Sequence, residues 1–186
     1  MDITLTWDLI VIVFFATIVA YSFIVGKDES VKIIIASYIA IVAVQAIGNI
    51  LEMLSGQSPF MMSMLGFTID RNIISTIKLV LFVAMIIFLA IRGGFEMQYA
   101  KEIEGIWETV LTGAFGFATS GLLLTALLTY VAAKPILDNT LESAPLLAGI
   151  LSQSTLMQIM VDYQNVWFCL PAVLLLTVGF LSNRDA

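Results

Sequence analysis

Residues 7–25, WDLIVIVFFATIVAYSFIV, decide how the rest of the chain is read. One charge, Asp8, stands at the opening, and no other Asp, Glu, Lys or Arg follows until Lys27. As an α-helix this segment is about 28 Å long, close to the ~30 Å hydrocarbon core of a bilayer, and Trp7 falls where an interfacial aromatic is expected. No basic residue precedes it and no small-x-small cleavage pattern follows, so it reads as a retained spanning helix rather than a removed signal peptide.

Working outward, the same pattern recurs. Gly26-Lys27-Asp28-Glu29 is expected to close the first span as a turn, with Ser30 capping the next. The second span, 31–51, is richer in small and polar residues than a helix wholly in lipid requires. Gln45, Asn49 and Glu52 recur at intervals of four and three, which puts them on one face near one end, beside Gly48. A loop with Gly56 and Pro59 then leads to Asp70, a candidate cap for a third span over 72–91. Lys78 lies two turns into that span, near enough to its start to reach the headgroups.

Residues 95–108, FEMQYAKEIEGIWE, mix polar and apolar side chains as an interfacial helix does. The fourth span, 109–133, is dense in small residues: Thr112, Gly116 and Ser120 repeat every fourth position, with Gly113 and Gly121 adding further gaps. Rows of this kind let another backbone approach closely, so this helix is expected to be the central packing element. Lys134-Pro135 ends it. A segment from Pro145 through Met160 reads as an amphipathic helix lying on the membrane or on the bundle, with Ser152, Gln153 and Gln158 on its polar face. The last apolar run, 166–181, is expected to be a short tilted span, with a re-entrant or surface helix as the alternative.

The whole is therefore an all-α polytopic membrane helical bundle, a single integral membrane domain over 1–186. It has four to five transmembrane helices and one or two interfacial amphipathic helices. Composition agrees: 60% of residues are hydrophobic and the mean hydropathy is +1.03, leaving too little polar surface to clothe a soluble domain. The formal charge of −6 argues against nucleic-acid binding. With no histidine and Cys169 the one cysteine, His-based catalysis, an intramolecular disulfide and His/Cys metal or haem sites are excluded. No cofactor is expected.

Several loose motifs resemble the colicin V production protein family of bacterial inner-membrane proteins. They are Asp8 before an Ile/Val run, two spans joined by a turn, and a third span leading through a charged stretch. The clearest are the glycine-spaced ETVLTGAFGFATSGLLLTALL at 108–128 and Ser-x-Pro-Leu-Leu at 143–147. The likeness covers residues 1–151. It implies a cell inner membrane location and a role in secretion or membrane homeostasis, with no catalytic residue to carry over. The chain departs from that pattern in having Gly26-Lys27-Asp28-Glu29 for a basic turn, Thr119-Ser120-Gly121 where an arginine is common, and a further hydrophobic run near its end.

Two functions remain in view. The preferred one is a non-catalytic structural or assembly subunit of a membrane protein complex. Its partners would be lipids and other integral membrane proteins, or copies of itself, held through Thr112, Gly113, Gly116, Ser120 and Gly121. The alternative is a small ion or solute channel or transporter subunit, with Asp8, Gln45, Asn49, Glu52 and Lys78 as a polar entrance. The bland reading of that polar set is a structural ion pair in which Asp8 or Glu52 answers Lys78.

Overall fold

The computed structural model describes residues 6–57, 71–92, 106–132, 149 and 151–183. All secondary structure within them is helical: α1 (Trp7–Gln57), α2 (Arg71–Arg92), α3 (Ile106–Val131), α4 (Thr155–Asp162) and α5 (Gln164–Asn183). The expected Asp70 cap, the 95–105 stretch, Lys134-Pro135 and Pro145 lie outside the described residues.

Three stretches are long and apolar enough to cross a membrane: Trp7–Met53, Ile73–Arg92 and Ile106–Val131. A fourth candidate is the pair Thr155–Asp162 and Gln164–Phe180, which qualifies only together and is bent by 68°. The first stretch has 47 residues, about 70 Å if straight, more than twice the hydrocarbon thickness. It is divided at Gly26, where φ is +84° and ψ 176°. Only glycine enters that region without large strain.

Neighbours of α3 show which way each arm of α1 runs. In the first arm, residues 7–25, Phe23 lies against Gly113, Ser22 and Val19 against Gly116, and Val11 in the cluster with Leu124 and Leu128. In the second arm, residues 27–57, Val31 and Ile34 pack with Phe115, and Ala40, Ile41 and Val44 with Leu122, Ala126 and Tyr130. The first arm is thus antiparallel to α3 and the second parallel, so the chain reverses at Gly26. This corrects the expected four-residue turn. Helix resumes directly after one glycine, and Ser30 is no N-cap: its hydroxyl donates to the Gly26 carbonyl at 2.8 Å, binding the new helix to the point of reversal.

The remaining helices complete a bundle around α3. Phe82 of α2 meets Tyr130, with ring centroids 5.1 Å apart, and the Ser75 hydroxyl donates to the Tyr130 carbonyl. Val178 of α5 reaches Val31, Ile34 and Phe115, while Trp167 sits over Gly121. Phe115, Ala118, Leu122, Ala126 and Tyr130 of α3 are almost fully buried. By contrast Ile24, Val80, Phe88, Ile91 and Phe180 on the outer helices are largely exposed. Apolar side chains on both the inside and the outside are what a membrane bundle requires, since lipid covers the second set. The protein is an all-α, multi-pass membrane bundle.

The segment after α3 differs from the single amphipathic helix expected from Pro145 to Met160. Residues 152–154 interrupt it, and Ser154 opens a new helix, accepting from the Met157 N–H at 3.0 Å. Leu151, Met157, Met160 and Val161 are buried with Val11, Leu124 and Leu128, so this element packs on the bundle. Pro171 lies within α5 without ending it.

Candidate functional site

Antiparallel packing gathers the polar residues at the end of the bundle that holds the C-terminus of α3. Lys78 is in the second turn of α2 and Glu52 near the end of α1, and the Lys78 Nζ approaches Glu52 Oε1 to 2.8 Å. The lysine stem crosses Gly48, where an added Cβ would overlap the Lys78 Cε and lie 2.9 Å from its Cδ. Gly48 is therefore the notch through which Lys78 reaches its counter-charge. The lysine side chain is 12% exposed and the glutamate 55%, which sets the pair at the edge of the bundle. Solvent screening at the glutamate limits its net worth to about 0–1 kcal/mol, although removing Glu52 alone would leave the more buried ammonium without its partner.

Asp8 takes a different partner from the one the sequence offered. Its Oδ1 accepts from the Ser154 hydroxyl at 2.5 Å and from the Leu156 N–H at 3.0 Å. One carboxylate in the first turn of α1 thus also closes the N-terminus of α4, where unpaired N–H groups and the helix dipole favour negative charge. Ser154 carried no weight in the sequence reading. The signal available was a serine two residues ahead of the amphipathic stretch Leu156-Met157-Gln158-Ile159-Met160, a common N-cap arrangement.

The amides sit between these groups and the bundle centre. Gln45 Nε2 donates to Asn49 Oδ1 at 3.3 Å, Gln45 Oε1 is buried without a partner among the described residues, and Asn49 is exposed. One turn separates Asn49 from the end of the apolar stretch at Met53.

The small residues of α3 face the chain's own helices. A Cβ at Gly116 would lie 2.9 Å from Ser22 Cβ and 3.1 Å from Val19 Cα, and one at Gly113 would lie 3.2 Å from the Phe23 ring. Gly121 leaves room for the Trp167 ring, whose centroid is 5.8 Å from that of Phe15 and 5.5 Å from that of Phe117. Thr112, Thr119, Ser120 and Thr129 donate to their own i−4 carbonyls at 2.7–2.8 Å, which satisfies each hydroxyl within one helix. The close-packing surface read from sequence is accordingly filled from inside, by α1 and α5.

A further tie joins the second arm of α1 to α5. The Tyr38 hydroxyl donates to the Phe168 carbonyl at 2.6 Å, three residues before Pro171. Among the described residues no group of three or more His, Cys, Asp or Glu side chains converges on a point that could hold a metal ion.

No known protein family, curated protein or solved structure matches this chain.

Proposed function

We propose that the protein is a non-catalytic structural or assembly subunit of a membrane protein complex. The observation that carries this reading is the direction of its polar groups. Asp8, Lys78 and four α3 hydroxyls are each answered within the chain. Asn49, by contrast, faces outward from an apolar helix, with no acceptor for its two amide hydrogens among the described residues. An amide directed at lipid is costly, and hydrogen bonding to a neighbouring helix relieves that cost. The contact that recruits a partner therefore moves from α3, where the small residues are already occupied, to the outer face of α1.

The competing reading, a channel or transporter subunit, needs polar groups at successive depths along a shared path. Four hydroxyls of α3, those of Thr112, Thr119, Ser120 and Thr129, bond to their own backbone instead of to a common lumen, and the two buried ones without a partner among the described residues, Thr125 Oγ1 and Tyr130 Oη, form no series at successive depths. The setting we propose, a bacterial inner membrane and a role in secretion or membrane homeostasis, rests on the resemblance of residues 1–151 to the colicin V production proteins.

Purification in mild detergent or lipid nanodiscs, with identification of every stoichiometric companion, tests the proposal. A defined companion that is lost with Asn49→Leu is the expected result. A monomer, with or without solute flux after reconstitution, would overturn it.

A further inference from the structure

α4 and α5 qualify as a membrane segment only as a bent pair, which leaves two paths: across the bilayer, or in and back out on one side. Contacts at the two ends decide between them. At one end, the Asp8 carboxylate in the first turn of α1 accepts from the Ser154 hydroxyl and the Leu156 N–H, and Met157, Met160 and Val161 pack with Val11 and Leu128. At the other, Val178 packs with Val31, Ile34 and Phe115. Val31 lies five residues past the reversal at Gly26, and Val178 five residues before Asn183, where α5 closes. At 1.5 Å per residue both are about 7.5 Å from those points, so α5 reaches the depth of the Gly26 reversal. Between the ends, Trp167 sits over Gly121 and the Tyr38 hydroxyl donates to the Phe168 carbonyl, so the path is continuous.

We infer that α5 crosses the bilayer alone while α4 lies along its surface, so that Asp8 and Asn183 face opposite compartments. α5 has 20 residues, about 30 Å of helix, which matches the hydrocarbon core. It holds no Asp, Glu, Lys or Arg, while Asp162 and Arg184 stand just outside it. Its outer residues Val166, Val173, Leu176 and Phe180 are apolar and exposed, as a surface turned to lipid must be. A re-entrant segment would instead be sheltered by protein on all sides or line a cavity. α4 differs on each count. Its eight residues rise about 12 Å, of which the 68° bend leaves about 4–5 Å along α5. Its outward side carries Gln158 and Asp162 beside Ile159, with Tyr163 at the junction, a mixture that suits headgroups rather than hydrocarbon. With the two arms of α1, α2 and α3, α5 makes five crossings among the described residues. The polar end of the bundle, with Asp8, Glu52 and Lys78, and the close of α5 therefore lie on different sides of the membrane.

Cysteine labelling in sealed vesicles of one orientation tests this. In a Cys169→Ala background, Thr6→Cys and Asp162→Cys report one face, and Glu29→Cys and Asn183→Cys the other. A membrane-impermeant maleimide should label one of these pairs in intact vesicles and gain access to the other only after permeabilisation. Labelling of each variant in detergent shows that its thiol is present and reactive, and Tyr163→Cys and Ser182→Cys repeat the two decisive positions where a first variant fails to insert. Asn183→Cys labelled together with Thr6→Cys would make α5 re-entrant and overturn the inference. Asp162→Cys that reacts in detergent but not in permeabilised vesicles would place α4 within hydrocarbon, where a thiol stays protonated and unreactive, and would overturn its surface position. Equal labelling of both pairs in intact vesicles would overturn the crossing as well.

Discussion

Replacing Gly116 by leucine should destabilise the bundle by forcing the first arm of α1 away from α3. The first atom of the new side chain would fall 2.9 Å from Ser22 Cβ and 3.1 Å from Val19 Cα. Neither neighbour can swing aside, because one is backbone and the other is bonded directly to it. The first arm of α1 must then move away from α3, loosening the Gly113–Phe23 contact on the same face. Overpacking of this kind costs about 1–3 kcal/mol. Alanine at the same position meets the same two atoms but recovers up to about 1 kcal/mol of helix propensity, for a net cost of roughly 0–2 kcal/mol. Gly179 provides the control: a Cβ there meets nothing within 4 Å, so Gly179→Ala should be neutral or stabilising by up to about 1 kcal/mol. At about 2–4 °C per kcal/mol, Gly116→Leu should lower the midpoint by roughly 2–12 °C. Thermal loss of the monodisperse species in nanodiscs measures all three variants. A Gly116→Leu protein melting with the wild type, or no better separated from it than Gly179→Ala, would refute the claim that the two helices touch through this glycine.

Other changes should act by different routes. Gly26→Ala has open space around its Cβ but a backbone only glycine adopts readily, so it should cost about 1–3 kcal/mol through strain alone; a midpoint equal to the wild type would mean the reversal lies elsewhere. Gly48→Ala should push Lys78 off Glu52 and lower stability, and the loss should shrink in a Lys78→Ala background; additive losses in that double-mutant cycle would dissociate the glycine from the ion pair. Asp8→Ala should weaken the start of α4 by about 0.5–2 kcal/mol, seen as faster hydrogen exchange at Leu156 and Met157, and unaltered protection there would refute the cap.

Those features that depend on local composition are legible in the sequence. Long apolar runs are committed to the bilayer by the cost of exposing them to water, and the concentration of glycine, serine and threonine in 112–121 marks a helix with close neighbours. The need of Lys78 for a counter-charge is visible too, because an ammonium among Ile77, Leu79 and Val80 is expensive alone. Which group answers it is a matter of helix pairing, and periodicity within one helix holds no record of that. The same limit hid the partner of Asp8 and the use of Gly121 as a seat for Trp167. It also left open whether the small face of α3 served this chain or another. The reversal at Gly26 was obscured for another reason: Lys27, Asp28 and Glu29 look like loop residues by polarity, yet they accept helical geometry readily once one glycine has turned the chain.

The bond between Asp8 and Ser154 joins positions 146 residues apart. During synthesis the first helix would enter the bilayer long before the serine emerges from the ribosome, so its carboxylate must wait in water or among headgroups while the intervening helices insert. Closing so large a loop is entropically slow, and the preceding helices must already be near their final places for the two ends to meet. Formation of this bond would therefore be a late event in maturation. A chain interrupted before Ser154 would leave the Asp8 carboxylate without the two donors that answer it in the finished bundle.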